Sequence, residues 1–314
     1  MTFDYWVELP ALTSLPGQGE FPSSSEEAAW NLASGFVDSC TEWSVRGDEQ
    51  RIEIRNRYIE EASSKTLSLP AGLSSLRGPD FNSTCRTWPP SWLAIEVQFE
   101  LLTPWYSKDD RVFHVMDNPV RKDRVFGVPF MAASSWKGLL RWACRMQAGL
   151  REYLRKSDGK LEGWRDPDWI LHLFGNEKGE EKNFHQGAMV FYPTWFDKIG
   201  FEVINPHSRA RRAGTQPVYY EVVPPGAKGT LYLLYAPWAG MKPSADPKRF
   251  LPRLTEAIEN LLTRYGISAK RTVGWGTANI SVWKAYRKGQ DPAQADTREK
   301  LWNAIANWFQ ERTP

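Results

Sequence analysis

Residues 93–101 put Leu93, Ile95, Val97, Phe99 and Leu101 on alternating positions, a two-residue period that fits a half-buried strand and excludes a helix there. The next patterned stretch has the other period. Trp136, Leu139, Leu140, Ala143, Met146, Leu150 and Leu154 recur at helical spacing, which predicts a helix opening at Ser134 or Ser135, either of them a good N-cap. Short strands are expected at 188–192, 201–204, 218–223 and 230–235. After these come a helix at 248–265, with Leu251, Leu254, Ile258, Leu261 and Leu262 in step, and a strand at 278–286. Strand, helix, strands, helix, strand is the order of an α+β, ferredoxin-like (RRM-like) sheet with inserted hairpins.

The chain divides into three regions. Residues 1–90 read as an N-terminal extension, partly irregular: the first 62 carry twelve acids against four Arg, and Ser63 to Pro90 reads as a linker or long surface excursion. Residues 91–290 hold the patterned domain. Residues 291–314 hold a C-terminal helix whose Leu301, Trp302, Ile305 and Trp308 share one face, which must dock on the domain or on a partner subunit. No apolar run approaches the roughly 20 residues that span a bilayer, and the start Met-Thr-Phe-Asp-Tyr-Trp is not a signal peptide, so a cytoplasmic chain with no membrane partner is expected. Cys40, Cys85 and Cys144 are too scattered for a disulfide framework or a zinc site.

Candidate chemistry concentrates in residues 116–141, where an acidic loop, Asp117-Asn118-Pro119-Val120, leads into a basic helix start. Although the whole chain is only +3, nine Lys or Arg against two acids lie between Arg121 and Lys156. A helix start with Ser134, Ser135, Lys137 and Arg141 on its first turns suits phosphate, because free N–H groups, the helix dipole and added cations converge there. A capped, solvated amphipathic helix reads from the same residues. Gly266-Ile-Ser-Ala-Lys270-Arg271-Thr-Val-Gly274-Trp275-Gly276 offers a second backbone-binding element or an ordinary glycine turn into a strand. His207 with Arg209, Arg211 and Arg212 is either an RNA-facing loop or a solvated charge run. Of the sixteen tryptophans, Trp88, Trp92, Trp105, Trp136 and Trp275 lie near these segments, where they either stack on bases or fill the core.

The run from Asp117 through Pro129 and Ser134-Ser135-Trp136-Lys137-Gly138 to Arg141 resembles the signature of the RAMP superfamily, with Ala132-Ala133 where relatives have Pro-Gly. Leu173-Phe174-Gly175 with Gln186–Phe191, and the loop from Gly266 to Gly276, are similar to further motifs of that family; the second half is similar to the sixth subunit of its Cmr group. The resemblance implies an RNA-binding subunit of a type III CRISPR ribonucleoprotein. Its partners would be guide RNA, target RNA, other RAMP subunits and a large polymerase-like subunit, with RNA held along a basic sheet face. It further implies that Ser134, Ser135, Lys137, Arg141, Lys270, Arg271, Gly274 and Gly276 face RNA. Asp117 would then cut target RNA with Mg²⁺ as cofactor, since a carboxylate holds a hard cation through oxygen. Two other readings stand beside it: a non-catalytic structural end cap of the same complex, in which Asp117 is a turn residue, and a stand-alone repeat-processing endoribonuclease, for which His114 is the placed acid–base candidate.

Overall fold

The computed structural model describes residues 55–56, 58–60, 62–69, 73, 76–109, 114, 116–176, 185–208, 213–214 and 217–309. In chain order its elements are helix α1 (Phe81–Thr84), strands β1 (Leu93–Leu101) and β2 (Phe130–Met131), and helices α2 (Ala133–Gln147), α3 (Leu150–Lys156) and α4 (Asp168–Phe174). Strands β3 (Met189–Phe191), β4 (Thr194–Trp195), β5 (Gly200–Ile204), β6 (His207–Ser208), β7 (Ala213–Gly214), β8 (Val218–Val222) and β9 (Lys228–Tyr235) follow. Helix α5 (Pro247–Asn260), strands β10 (Ala278–Tyr286) and β11 (Ala293–Ala295), and helix α6 (Arg298–Ile305) complete the chain.

The main sheet runs β11-β10-β1-β9-β3, antiparallel throughout. With α2 between β1 and β3, and α5 between β9 and β10, this is the β-α-β-β-α-β order of a ferredoxin-like fold, the α+β class expected from the patterning. The odd-numbered apolar residues of β1 supply the seam: Leu93, Ile95, Val97, Phe99 and Leu101 are buried with Trp136 and Leu140 of α2 and Leu251, Leu254 and Ile258 of α5. The β5–β8 pair and the β6–β7 pair form an inserted hairpin arm beside this sheet.

Three local expectations need correction. Strand β1 is covered on both faces rather than half-buried, because part of the stretch read as a linker folds onto the sheet: Phe81, Cys85 and Trp88 are buried with Ala94, Leu234 and Tyr286. Asp80 starts α1 by accepting a hydrogen bond from Ser83 N at 3.1 Å, and the Phe81 ring meets Trp88, Tyr192 and Tyr232 edge-on. The basic helix also breaks earlier than its apolar spacing suggests, since Gly149 adopts φ +99°, a left-handed stop, before α3 begins. Finally, Ala132 in extended backbone is the N-cap of α2, no side chain caps the terminus, and Ser134 and Ser135 fall inside the first turn. The C-terminal helix docks on the domain, with Leu301 and Ile305 in the main core and Trp302 and Trp308 packed against it.

Candidate nucleic-acid interface

Asp117 stands exposed on a short loop that runs over β8. The sequence sets this arrangement because the residues flanking it on either side, Met116 and Val120, are apolar and sink to 2% and 0% exposure. Asn118 ties the loop down: its Nδ2 donates to Tyr219 O at 3.1 Å, and its carbonyl accepts from Glu221 N at 3.0 Å. Val120 N donates to Glu221 Oε2 at 3.0 Å.

Beneath the loop lies a buried ionic group. Lys122 Nζ donates to Glu221 Oε1 at 2.6 Å and to the Tyr58 hydroxyl at 2.9 Å, while Tyr58 in turn donates to Glu221 Oε1 at 2.5 Å. His114 Nε2 lies 3.7 Å from Glu221 Oε2, and its Nδ1 accepts from Met116 N at 3.0 Å. Burial alone would push the Glu221 carboxyl up, but the Lys122 ammonium, His114 and the hydrogen bonds from Lys122 and Tyr58 outweigh it and hold the group below its ordinary value. Lys122 is therefore a structural cation, and His114, the acid–base candidate of the endoribonuclease reading, is 6% exposed and enclosed in the same group.

The start of α2 presents Ser134 and Gly138 outward, one turn apart, with Ser135 and Lys137 half-buried beside them. Burial, and Arg141 nearby, lower the Lys137 pKa. Arg141 does not serve as a free phosphate cation: its Nε and Nη2 hold Asp166 at 2.9 and 2.6 Å, and Arg145 and Trp164 donate to the same carboxylate. The acid that neutralises it lies 25 residues downstream, beyond any helical spacing rule. A Cβ on Gly138 would meet nothing within 4 Å, so the fold does not require glycine there. Gly138→Ala is expected to stabilise the chain by about 0.8–1.0 kcal/mol through helix propensity, read as a rise in melting temperature. A bulky Gly138→Leu should stay folded but weaken RNA binding, if backbone passes across this face.

The loop from Gly266 to Gly276 is laced to the exit of β1. Ser268 Oγ accepts from Tyr106 N at 3.0 Å, Ala269 N donates to Tyr106 O at 2.8 Å, and Trp105 Nε1 donates to Ile267 O at 3.0 Å. Gly276 closes this loop, since at φ +88° any Cβ would fall 2.3 Å from Ser268 N, so packing alone requires glycine there. Gly274 faces open space. Lys270 Nζ sits 4.9 Å from the centre of the Tyr220 ring, and the Arg271 guanidinium lies 4.5 Å from that of Trp142 on α2. Burial lowers the Arg271 pKa.

These contacts tie the three segments together through packing. Arg271 joins the glycine loop to α2, Lys270 joins it to β8 through Tyr220, and β8 carries the Asp117 loop on Tyr219 and Glu221. His207 contributes backbone to β6, paired with Gly214, whereas Arg209, Arg211 and Arg212 lie outside the described residues. On the sheet face away from the helices the expected basic platform is partly overlaid. Helix α1 and Trp88 cover part of it, and its polar centre is Glu96, bonded to Lys284 and Tyr286 at 3.0 Å each. Trp105 and Trp136 are core residues at 1% and 0% exposure and Trp88 is also buried, while Trp275 packs edge-on against Tyr106 and Tyr220. Sequence reasoning missed Tyr58, Lys122 and Glu221 as a unit, for the partners are 64, 99 and 163 residues apart and share no pattern.

Comparison with solved structures places the whole architecture. The chain superposes with a TM-score of 0.51 on a chain from a cryo-EM structure of the type III-B Cmr-beta bound to cognate target RNA, at 13% identity, covering 93% of this chain and 88% of that one. The family model described as RAMP superfamily matches residues 98–279, more than half of the sequence, and the chain belongs to that superfamily. No curated protein matches. Among the described residues no helix is long and apolar enough to cross a membrane.

Proposed function

We propose that this chain is an RNA-holding subunit of a type III-B CRISPR ribonucleoprotein, gripping guide RNA and its paired target by the backbone while base pairing between the RNAs supplies sequence. The observation that carries this reading is that α2, the glycine loop and the Asp117 loop are packed to one another through Trp142, Tyr220 and β8, with Ser134, Gly138 and Asp117 exposed. A solved structure of the same fold was determined with cognate target RNA bound, and other RAMP subunits and a large polymerase-like subunit are the partners this reading requires. Ser134, Ser135, Lys137, Lys270, Arg271 and Gly274 are the proposed RNA contacts, with His207 and its following arginines a further one.

Asp117 is the proposed cutting residue. The described residues hold no group of three His, Cys, Asp or Glu that would cage a metal by itself, and Asp117 offers one exposed carboxylate. That donor set fits Mg²⁺ in the form in which one carboxylate, water and substrate phosphate oxygens share the ion, which would supply charge stabilisation at the phosphate. Asp117 would hold the ion beside the scissile phosphate, where the adjacent 2′-hydroxyl, giving its proton to solvent, attacks phosphorus and the 5′-oxygen leaves and takes a proton from solvent, giving a 2′,3′-cyclic phosphate and a 5′-hydroxyl.

Electrophoretic titration of the chain against RNAs of unrelated sequence, at several salt concentrations, tests the grip. Replacing Lys137, Lys270 and Arg271 together with Ala should weaken binding to all of them alike and reduce the salt slope by about one ion per lost contact. An unchanged slope would place RNA elsewhere on the molecule.

A further inference from the structure

Tyr58 lies before the residues that define the family match, 98–279, yet it occupies the centre of the ionic group beneath the Asp117 loop. Its ring is 5% exposed and buried with Ala62, Met116 and Ile199; it meets His114 and Phe201 edge-on, with centroids at 5.4 and 5.9 Å. Met116, the residue immediately before Asp117, thus has an apolar floor made from Tyr58 and Ala62. Val120, three residues after Asp117, is held by Glu221, whose other oxygen accepts from Tyr58 and Lys122. The segment is anchored on both sides of this point: the Arg55 guanidinium stacks 4.3 Å over the Tyr219 ring, and Leu67 N donates to Asp197 O at 2.7 Å.

We infer that the described residues between 55 and 69 of the N-terminal extension are a positioning element for the Asp117 loop, with Tyr58 as the keystone that fixes both flanks of the loop at once. The physical reason is that both flanks of the loop rest on buried groups that meet at Tyr58. Asn118 binds backbone of β8, and Pro119 O accepts from Asp109 N at 3.2 Å, whereas the buried supports of the two flanks, the carboxylate of Glu221 under Val120 and the apolar seat of Met116, depend on groups that Tyr58 completes. Removing the Tyr58 hydroxyl leaves Glu221 Oε1 and Lys122 Nζ each one partner short in a site closed to water. A loop crest that carries a chemical group needs its supports locked to well under an ångström, so a loosened floor should reach the chemistry before it reaches the fold.

The inference rests on the reading of Asp117 as a target-cutting residue only for its kinetic arm, and two measurements on the full-length chain in its assembled complex keep the two apart. Hydrogen exchange of peptides spanning 116–121, compared with β1 and β9 in the same sample, should accelerate by about tenfold or more in Tyr58→Phe, with the sheet unchanged. In parallel, the single-turnover rate of the Asp117-dependent cut should fall while the dissociation constant for target RNA stays within twofold. Unchanged exchange at 116–121 in Tyr58→Phe, and in the more severe Tyr58→Leu, would overturn the inference, as would exchange that rises equally across the sheet in both variants. Faster loop exchange in a complex whose wild type shows no Asp117-dependent cut would support the positioning role and reject the catalytic reading.

Discussion

Asp117→Asn in an assembled complex is expected to remove one Mg²⁺-dependent cut from the target RNA while cuts made by other subunits persist. The loss should be about a hundredfold or more in single-turnover rate, the scale for deleting one preorganised electrostatic contact to a reacting phosphate. Asparagine is the informative replacement because it separates the two roles this residue can hold. As a turn former it substitutes well for aspartate, capping its own backbone through the side-chain oxygen, but it carries no charge with which to hold a cation. The loop should survive the change, since Met116, Asn118 and Val120 hold it and asparagine keeps the size and one acceptor oxygen of the side chain at 117. Target affinity and melting temperature should therefore remain at wild-type values, with surface effects within about 0.5 kcal/mol. A cleavage ladder identical in wild type and variant would make this subunit a scaffold or end cap, with Asp117 a turn residue.

How far the sequence discloses this arrangement depends on the distance over which each interaction acts. Periodicities within one element are local, and they place β1, the start of α2, the β9–α5–β10 succession and the C-terminal helix close to their observed bounds. The cap of α2 was misread because serine propensity at an N-terminus is a weak preference, and the extended Ala132 backbone decides where the helix begins. The cover over the sheet was missed for a different reason: Phe81, Cys85 and Trp88 do recur at helical spacing, but the surrounding Ser, Pro and Gly signalled a linker. Charge was the least legible quantity. Counting cations between Arg121 and Lys156 treats them as equivalent, whereas Lys122 is paired with Glu221, and Arg141 and Arg145 share the one carboxylate of Asp166, partners that no local rule connects to them. What remains for RNA is a smaller set, backed by aromatic rings and a helix terminus, that only the folded chain brings side by side.

Lys122→Met should destabilise the chain by about 3–5 kcal/mol, the cost of leaving a buried carboxylate without its cation, read from denaturant or thermal unfolding. The ion pair is closed to water, with both side chains at 0% exposure, so nothing outside can replace the lost ammonium. Pairing the change with Glu221→Leu should recover most of that loss, because an apolar pair removes the uncompensated charge; recovery should stop short by about 1–3 kcal/mol, since Val120 N and the Tyr58 hydroxyl then lose their acceptor. The pH dependence supplies an independent check whose sign differs between proteins. In wild type the folded Glu221 titrates below its ordinary value of 4.5, so the contribution of the network is complete above that pH and is lost as pH falls through the folded value. In Lys122→Met the burial that raises the carboxyl is no longer opposed by the ammonium, with His114 and Tyr58 the remaining groups that face it. The folded state of the variant should then take up a proton more readily than the unfolded chain, and acidification toward pH 5 should narrow its deficit relative to wild type. A deficit that stays constant across this range would mean that Glu221 keeps its charge without Lys122, and that Tyr58, His114 and the Val120 amide hold the carboxylate between them.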